Sequence, residues 1–213
     1  MLVLGVDSST NLMSMGIVDD QKMLGEISFP CSRETLGKWI FWLDFLLKES
    51  KVDIERIDVF SCVCGPGVFT NLRLGLSSIK GLAFALKKPV VAISSLDVYA
   101  ERVSFPKIRV LIPSCRGSFF YCVYEKKNRL SPPALGTIEE MRLLGIQEEI
   151  WVGPGQIEFS KMDVPENIQT IALPPSGSFV ASLGLKKALC NETTDAVSLR
   201  PEYIRVARAQ EKL

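Results

Sequence analysis

Histidine is absent from all 213 residues, and that single absence removes several classes of chemistry. Serine–histidine and cysteine–histidine nucleophile pairs, H-E-x-x-H zinc sites and imidazole acid–base steps all need the ring. Carboxylate, lysine or backbone chemistry remains, or none. Net charge is nearly missing too. Twenty-five Lys+Arg against 24 Asp+Glu leave +1, short of the basic excess of a protein that grips nucleic acid unaided. An RNA contact therefore needs a local patch or a partner. No apolar run is long enough to span a bilayer, and Met1-Leu2-Val3-Leu4-Gly5-Val6-Asp7 has no basic region and meets a carboxylate too soon for a signal peptide. The expectation is a cytoplasmic protein without membrane contact. The six cysteines form no C-x-x-C pair, and Cys62 and Cys64 read as reduced core thiols rather than ligands. What is abundant is apolar side chain. A hydrophobic content of 47% and a mean hydropathy of +0.20 mark a globular chain, long enough for one large domain or two small lobes.

Hydrophobic periodicity predicts strands at Leu2 to Val6, Leu12 to Val18 and Met23 to Phe29, an antiparallel meander joined by polar turns. A helix over Glu34 to Ser50 with Ser32 as its cap follows. Next come a strand at Ile57 to Cys64, a helix at Phe69 to Leu86, a strand at Val90 to Ile93 and a helix at Ser95 to Val103. After Pro106 the pattern restarts. Strands are expected at Ile108 to Ile112, Phe119 to Tyr124 and, more weakly, Arg129 to Leu135. A helix at Ile138 to Leu144, strands at Ile150 to Val152 and Ile168 to Leu173, and a helix at Gly177 to Leu189 complete it. Polar turns (Asp7 to Asn11, Ser114 to Ser118) and Gly-Pro-Gly loops (65–67, 153–155) recur in the same order. The reading is a duplicated α/β protein, residues 1–104 and 105–213, with the second lobe reduced and mixed sheets flanked by helices. Arg200 to Arg205 is expected as a return strand or arm.

Three features carry the functional argument. The Gly65-Pro66-Gly67 corner leads from a strand into a helix, which is how many folds aim backbone N–H groups at phosphate. Pro66, however, removes one donor, and no Walker lysine follows. On the first helix Leu36, Trp39, Ile40, Leu43, Leu46 and Leu47 form one apolar face, with Phe41, Trp42 and Phe45 lying off it. A helix apolar on two sides needs two partners. The second helix adds Leu72, Leu76, Ile79 and Ala83, flanked by the small residues Gly75, Ser77, Ser78 and Gly81. Internal core and a helix-pair docking surface are both open readings; the docking surface would comprise Leu36, Trp39, Ile40, Leu43, Leu47, Leu72, Leu76, Ile79 and Ala83. Lys80 reads as a solvated or snorkelling lysine.

The lobe pattern, the Asp7-Ser8-Ser9-Thr10 turn and Gly65-Pro66-Gly67-Val68-Phe69-Thr70-Asn71-Leu72-Arg73-Leu74-Gly75-Leu76 with Lys80-Gly81-Leu82-Ala83 together resemble the TsaB (YeaZ) family. Val68 and Asn71 stand where that family usually has Ser and Gly. Pro113 replaces the aspartate of its D-A-R-R-G pattern, of which Arg116 and Gly117 remain. The resemblance implies RNase H-like lobes of the actin, sugar-kinase and heat-shock ATPase superfamily. It also implies a non-catalytic subunit, with no catalytic residue and no metal of its own, that activates the TsaD transferase in making tRNA threonylcarbamoyladenosine. Its implied partners are TsaD, bound through the first two helices, the ATPase TsaE, tRNA indirectly through the complex, and a second copy when alone. Where TsaD carries two metal-holding histidines this chain has Ser95 and Tyr99. Asp7, Ser9, Thr10, Gly65, Gly67 and Arg116 are the candidate nucleotide contacts, the implied nucleotide being ATP or ADP at the interface with TsaD. The alternative is an ATP-dependent kinase or carbamoyl transferase using Asp7 with magnesium.

Overall fold

Strands that read as unbroken apolar runs are buried on both faces, and the central strands show this. In the computed structural model, which describes residues 1–115, 117–143, 149–155, 157 and 159–204 without the side chains of Arg33, Leu36 and Ser160, β1 (Val3–Asp7) and β4 (Val59–Gly65) are buried throughout. With β2 (Leu12–Val18), β3 (Met23–Pro30) and β5 (Val90–Ser94) they form a sheet ordered β3-β2-β1-β4-β5. The meander pairs antiparallel and β1, β4 and β5 run parallel.

Alternation sorts the side chains. Leu4, Val6, Phe60 and Cys62 join the core beneath α2 (Trp39–Glu49) and α3 (Phe69–Leu86). Val3, Val59 and Val63 face α6 (Gly177–Leu189) on the other side. There glycine sets the spacing: a Cβ at Gly5 would lie 2.2 Å from the Gly177 carbonyl oxygen, so α6 rests on bare strand backbone.

The second sheet repeats the plan. Strands β6 (Lys107–Pro113), β7 (Phe119–Glu125), β8 (Asn128–Arg129), β10 (Ile150–Pro154) and β11 (Gln169–Leu173) lie in the order β11-β10-β6-β7-β8, with β9 (Ala134–Gly136) also on β7. Read from its meander edge, each sheet is an antiparallel set followed by two parallel strands, the signature of the duplication. One face packs on α4 (Ser95–Glu101) through Leu96, Tyr99 and Ala100. The other carries Met141 of α5 (Ile138–Leu143) against Leu111, Phe119 and Trp151, with the buried Arg109–Glu149 ion pair at 2.8 Å. The strands separate between the two sheets, but the helices do not follow the division at 104/105. Helix α4 lies on the second sheet as well as against β4 and β5, and α6 returns to the first.

Three expectations need correction. The strand expected at Arg129 to Leu135 is two short pieces, β8 and β9, each paired with β7, because Pro132 and Pro133 between them offer no N–H to a ladder. The first helix is two pieces, α1 (Arg33–Gly37) and α2, broken at Lys38, whose φ of −101° and ψ of 18° leave the helical region just after Gly37, a weak helix former. Ser32 does cap the start, its hydroxyl accepting the Thr35 N–H at 3.2 Å. The arm from Arg200 is no strand over its described part; one backbone bond, Glu202 N–H to the Cys64 carbonyl (2.8 Å), ties it to β4, and Arg205 lies outside the described residues.

Candidate functional site

The glycine corner is built to receive the chain's own first turn. Gly65 needs its φ of +124°, which side-chain-bearing residues rarely adopt. The Ser9 carbonyl accepts the Val68 N–H at 2.8 Å, and Asn71 Nδ2 donates to the Thr10 carbonyl at 2.7 Å. A Cβ at Gly67 would fall 2.3 Å from that Ser9 oxygen, and one at Gly75 would fall 2.1 Å from Ser8 Oγ. The hydroxyls of Ser94 and Ser95 tie the corner from behind, donating to the carbonyls of Gly65 (3.2 Å) and Pro66 (2.5 Å). Two donors at the corner, the Val68 N–H and the Asn71 amide, are therefore engaged by protein carbonyls.

Asp7 is fully buried at the base of this turn. Its Oδ1 accepts both the Ser9 N–H (3.0 Å) and the Ser9 hydroxyl (2.7 Å), while Oδ2 has no hydrogen-bond partner among the described residues. Burial pushes its pKa up, and the Ser9 bonds and the charge of Arg102 only partly oppose that. Tyr99, whose hydroxyl also has no hydrogen-bond partner among the described residues, is held well above the usual phenol range by burial and by the nearby Asp7. Thus Asp7, Ser9, Thr10, Gly65 and Gly67 are brought together as expected, but as packing partners. On the side facing β1 the corner has no room for a phosphate, because the turn from Asp7 to Thr10 fills it. Arg116 lies outside the described residues. Ser95 and Tyr99 are buried, and no group of three or more Cys, Asp or Glu side chains suited to a metal converges among the described residues. On its other side the corner is open: Pro66, Gly67 and Val68 help to line a cavity of about 410 Å³ with the start of α3, the end of β6 and the segment Pro201 to Ile204.

The helix pair differs from expectation in which face it presents. Trp39, Leu43, Leu76, Ile79 and Ala83, expected on the docking surface, are buried in the core beneath α2 and α3, against which Leu47 packs partly buried, and Leu72 is buried in the other cluster, with Val63 and Ile93. The side chain of Leu36 lies outside the description. Only Ile40 of that set is outward, 64% exposed, and it is joined by Phe41, Phe45 and, on α3, Phe69 and Phe84, the last 68% exposed. The reason is angular: Trp39, Leu43 and Leu46 recur at four and three residues and take the sheet, which turns Ile40, Phe41 and Phe45 away. Phe41 and Phe45, the residues off the main stripe, were the legible sign; Phe84 carried none beyond its offset from Ile79 and Ala83.

A family model described as TsaD: tRNA N6-adenosine threonylcarbamoyltransferase matches residues 31–212. The chain belongs to that family. It is 34% identical over 125 residues to the tRNA N6-adenosine threonylcarbamoyltransferase of Kosmotoga olearia, a match over 51% of this chain and 38% of that protein. To the Fervidobacterium nodosum protein of the same name it is 27% identical over 226 residues, covering 90% of this chain and 65% of that one. The chain thus spans about two fifths to two thirds of the length of these curated relatives. Its fold is that of YeaZ from Pseudomonas aeruginosa, with a TM-score of 0.80 and 21% identity over 95% of this chain and 99% of that one.

Proposed function

We propose that this chain serves tRNA N6-threonylcarbamoyladenosine formation as a TsaB-type, non-catalytic subunit that docks on a TsaD-type transferase through α2 and α3. The observation that carries the reading is the exposure of large apolar side chains on both helices, Ile40, Phe41 and Phe45 on α2 and Phe84 on α3, more than a helix pair leaves to water without a partner. Support comes from the filled turn at Asp7 and from Ser95 and Tyr99, whose buried side chains serve the corner and the α4 core. Covering the face stabilises the transfer-competent conformer of the partner, a coupling through an interface rather than shared chemistry. A TsaE-type ATPase and tRNA join through that complex, any ATP or ADP sits at the contact with the transferase, and the free chain pairs with itself through the same face.

The test mixes this chain with a TsaD-type transferase and follows size exclusion together with threonylcarbamoyl transfer from threonylcarbamoyl-adenylate to tRNA. Co-elution and stimulated transfer, both lost in Ile40→Asp/Phe84→Asp, support the reading. Transfer unaffected by the chain, or co-elution unaffected by the double substitution, refutes it.

A further inference from the structure

Residues 199–204 belong to no helix or strand, yet they bridge both lobes. Leu199 is buried in the first lobe's core, and Ile204 packs against the second's. Besides those pegs, and the Tyr203 ring 6.0 Å from that of Phe69, the attachments of the segment and of Val197 just before it are few. The Lys80 ammonium donates to the carbonyls of Val197 (2.9 Å) and Leu199 (3.4 Å), Glu202 N–H to the Cys64 carbonyl (2.8 Å), and Arg73 Nη2 to the Tyr203 hydroxyl (3.4 Å). The Glu202 carboxylate meets Arg129 of the second lobe at 3.8 Å, a half-exposed pair worth little. Gly65 makes room for the crossing, since a Cβ there would come within 2.8 Å of the Glu202 carbonyl oxygen. Pro201, Glu202, Tyr203 and Ile204 then form one wall of the 410 Å³ cavity, opposite Phe69 and Leu72 of α3 and Phe120 of β7.

We propose that residues 199–204 are an intramolecular clasp that holds the two lobes at one spread, and that its release opens the cavity and loosens both opposing walls in a single step. A segment held by two apolar pegs, a single backbone bond to a strand and a few exposed side-chain contacts lies at the low-stability end of a fold, where local opening is expected. Its two pegs sit in different cores, so lifting the clasp removes a tie between the lobes and leaves α4 as the remaining bridge between the sheets. The proposal stands independently of the docking face.

Hydrogen exchange on the full chain, read on segments 66–73, 119–124 and 200–204, tests it. Lys80→Met, which removes the two ammonium bonds, should speed exchange in all three segments by a common factor of about ten while β1 and β2 are unchanged. Leu199→Ala, which removes a peg, should do the same to a greater extent. Acceleration confined to 200–204 overturns the proposal, as does no change in both variants. If Leu199→Ala proves unstable, Tyr203→Ala replaces it, with the same common factor expected and the same two results refuting.

Discussion

Helix α3 contains two interior glycines six residues apart, and the same substitution at each should have opposite sign. At Gly81 an added methyl meets nothing within 4 Å. Gly81→Ala therefore gains only the helix-propensity and unfolded-chain terms, a stabilisation of about 1 kcal/mol. At Gly75 the same gain applies, but the methyl would stand 2.1 Å from Ser8 Oγ and 2.8 Å from Ser8 Cβ, beside a side chain that is only 1% exposed. Both are inside van der Waals contact, and the turn that carries Ser8 is pinned by the Val68 and Asn71 bonds, so it cannot step aside freely. Overpacking costs about 1–3 kcal/mol, and an approach of 2.1 Å to a pinned turn belongs in the upper part of that range, about 2–3 kcal/mol, so after the propensity gain Gly75→Ala is left destabilised by about 1–2 kcal/mol. Urea denaturation with unchanged m-value measures both. Adding Ser8→Ala to Gly75→Ala removes the nearer atom and should recover part of the loss, a coupling that distant sites do not show. If the two glycine variants shift the midpoint in the same direction, the turn does not fill the corner as described and the reading of a closed phosphate site fails with it.

Leu76→Asp should unfold the chain, because it places a charge in the core, whereas Ile40→Asp should leave the midpoint within about 0.5 kcal/mol; circular dichroism melts compare them. Asp7 is easier to protonate folded than unfolded, so the stability it contributes is full below its ordinary value of 3.8 and is lost as pH rises through its raised folded value. Asp7→Asn cannot ionise, so its stability relative to the parent should improve from pH 4 to pH 7, and a flat difference in urea titrations would contradict the burial. Glu149→Gln should destabilise by about 3–5 kcal/mol by leaving the Arg109 guanidinium buried without its counter-charge, read as a fall in urea midpoint; a loss under 1 kcal/mol would show the pair to be dispensable.

Local pattern placed most elements well. The α3 and α6 boundaries, the meander and the restart after Pro106 follow from apolar periodicity and turn residues, which act over a few neighbours and so can be read in order along the chain. Gly37 was the missed signal, a poor helix former inside an otherwise periodic run. The candidate site was legible as a set of residues and illegible as an arrangement. Asp7 to Thr10 and Gly65 to Gly67 were both picked out, yet whether they leave a space for phosphate depends on the Ser9 carbonyl reaching Val68 across 59 positions of sequence.

The amino-acid sequence by itself determined the absence of imidazole chemistry, the duplicated α/β plan and the family to which the chain resembles a member, since composition, period and motif are properties of order alone. Tertiary structure decided what order cannot carry: which side of α2 faces the sheet, that α4 and α6 cross between the sheets, and that the glycine corner is filled by protein. The helix placements turn on which of two chemically equivalent apolar surfaces wins the burial, the corner on which backbone group meets its N–H, and both are settled by contacts between segments far apart in the chain.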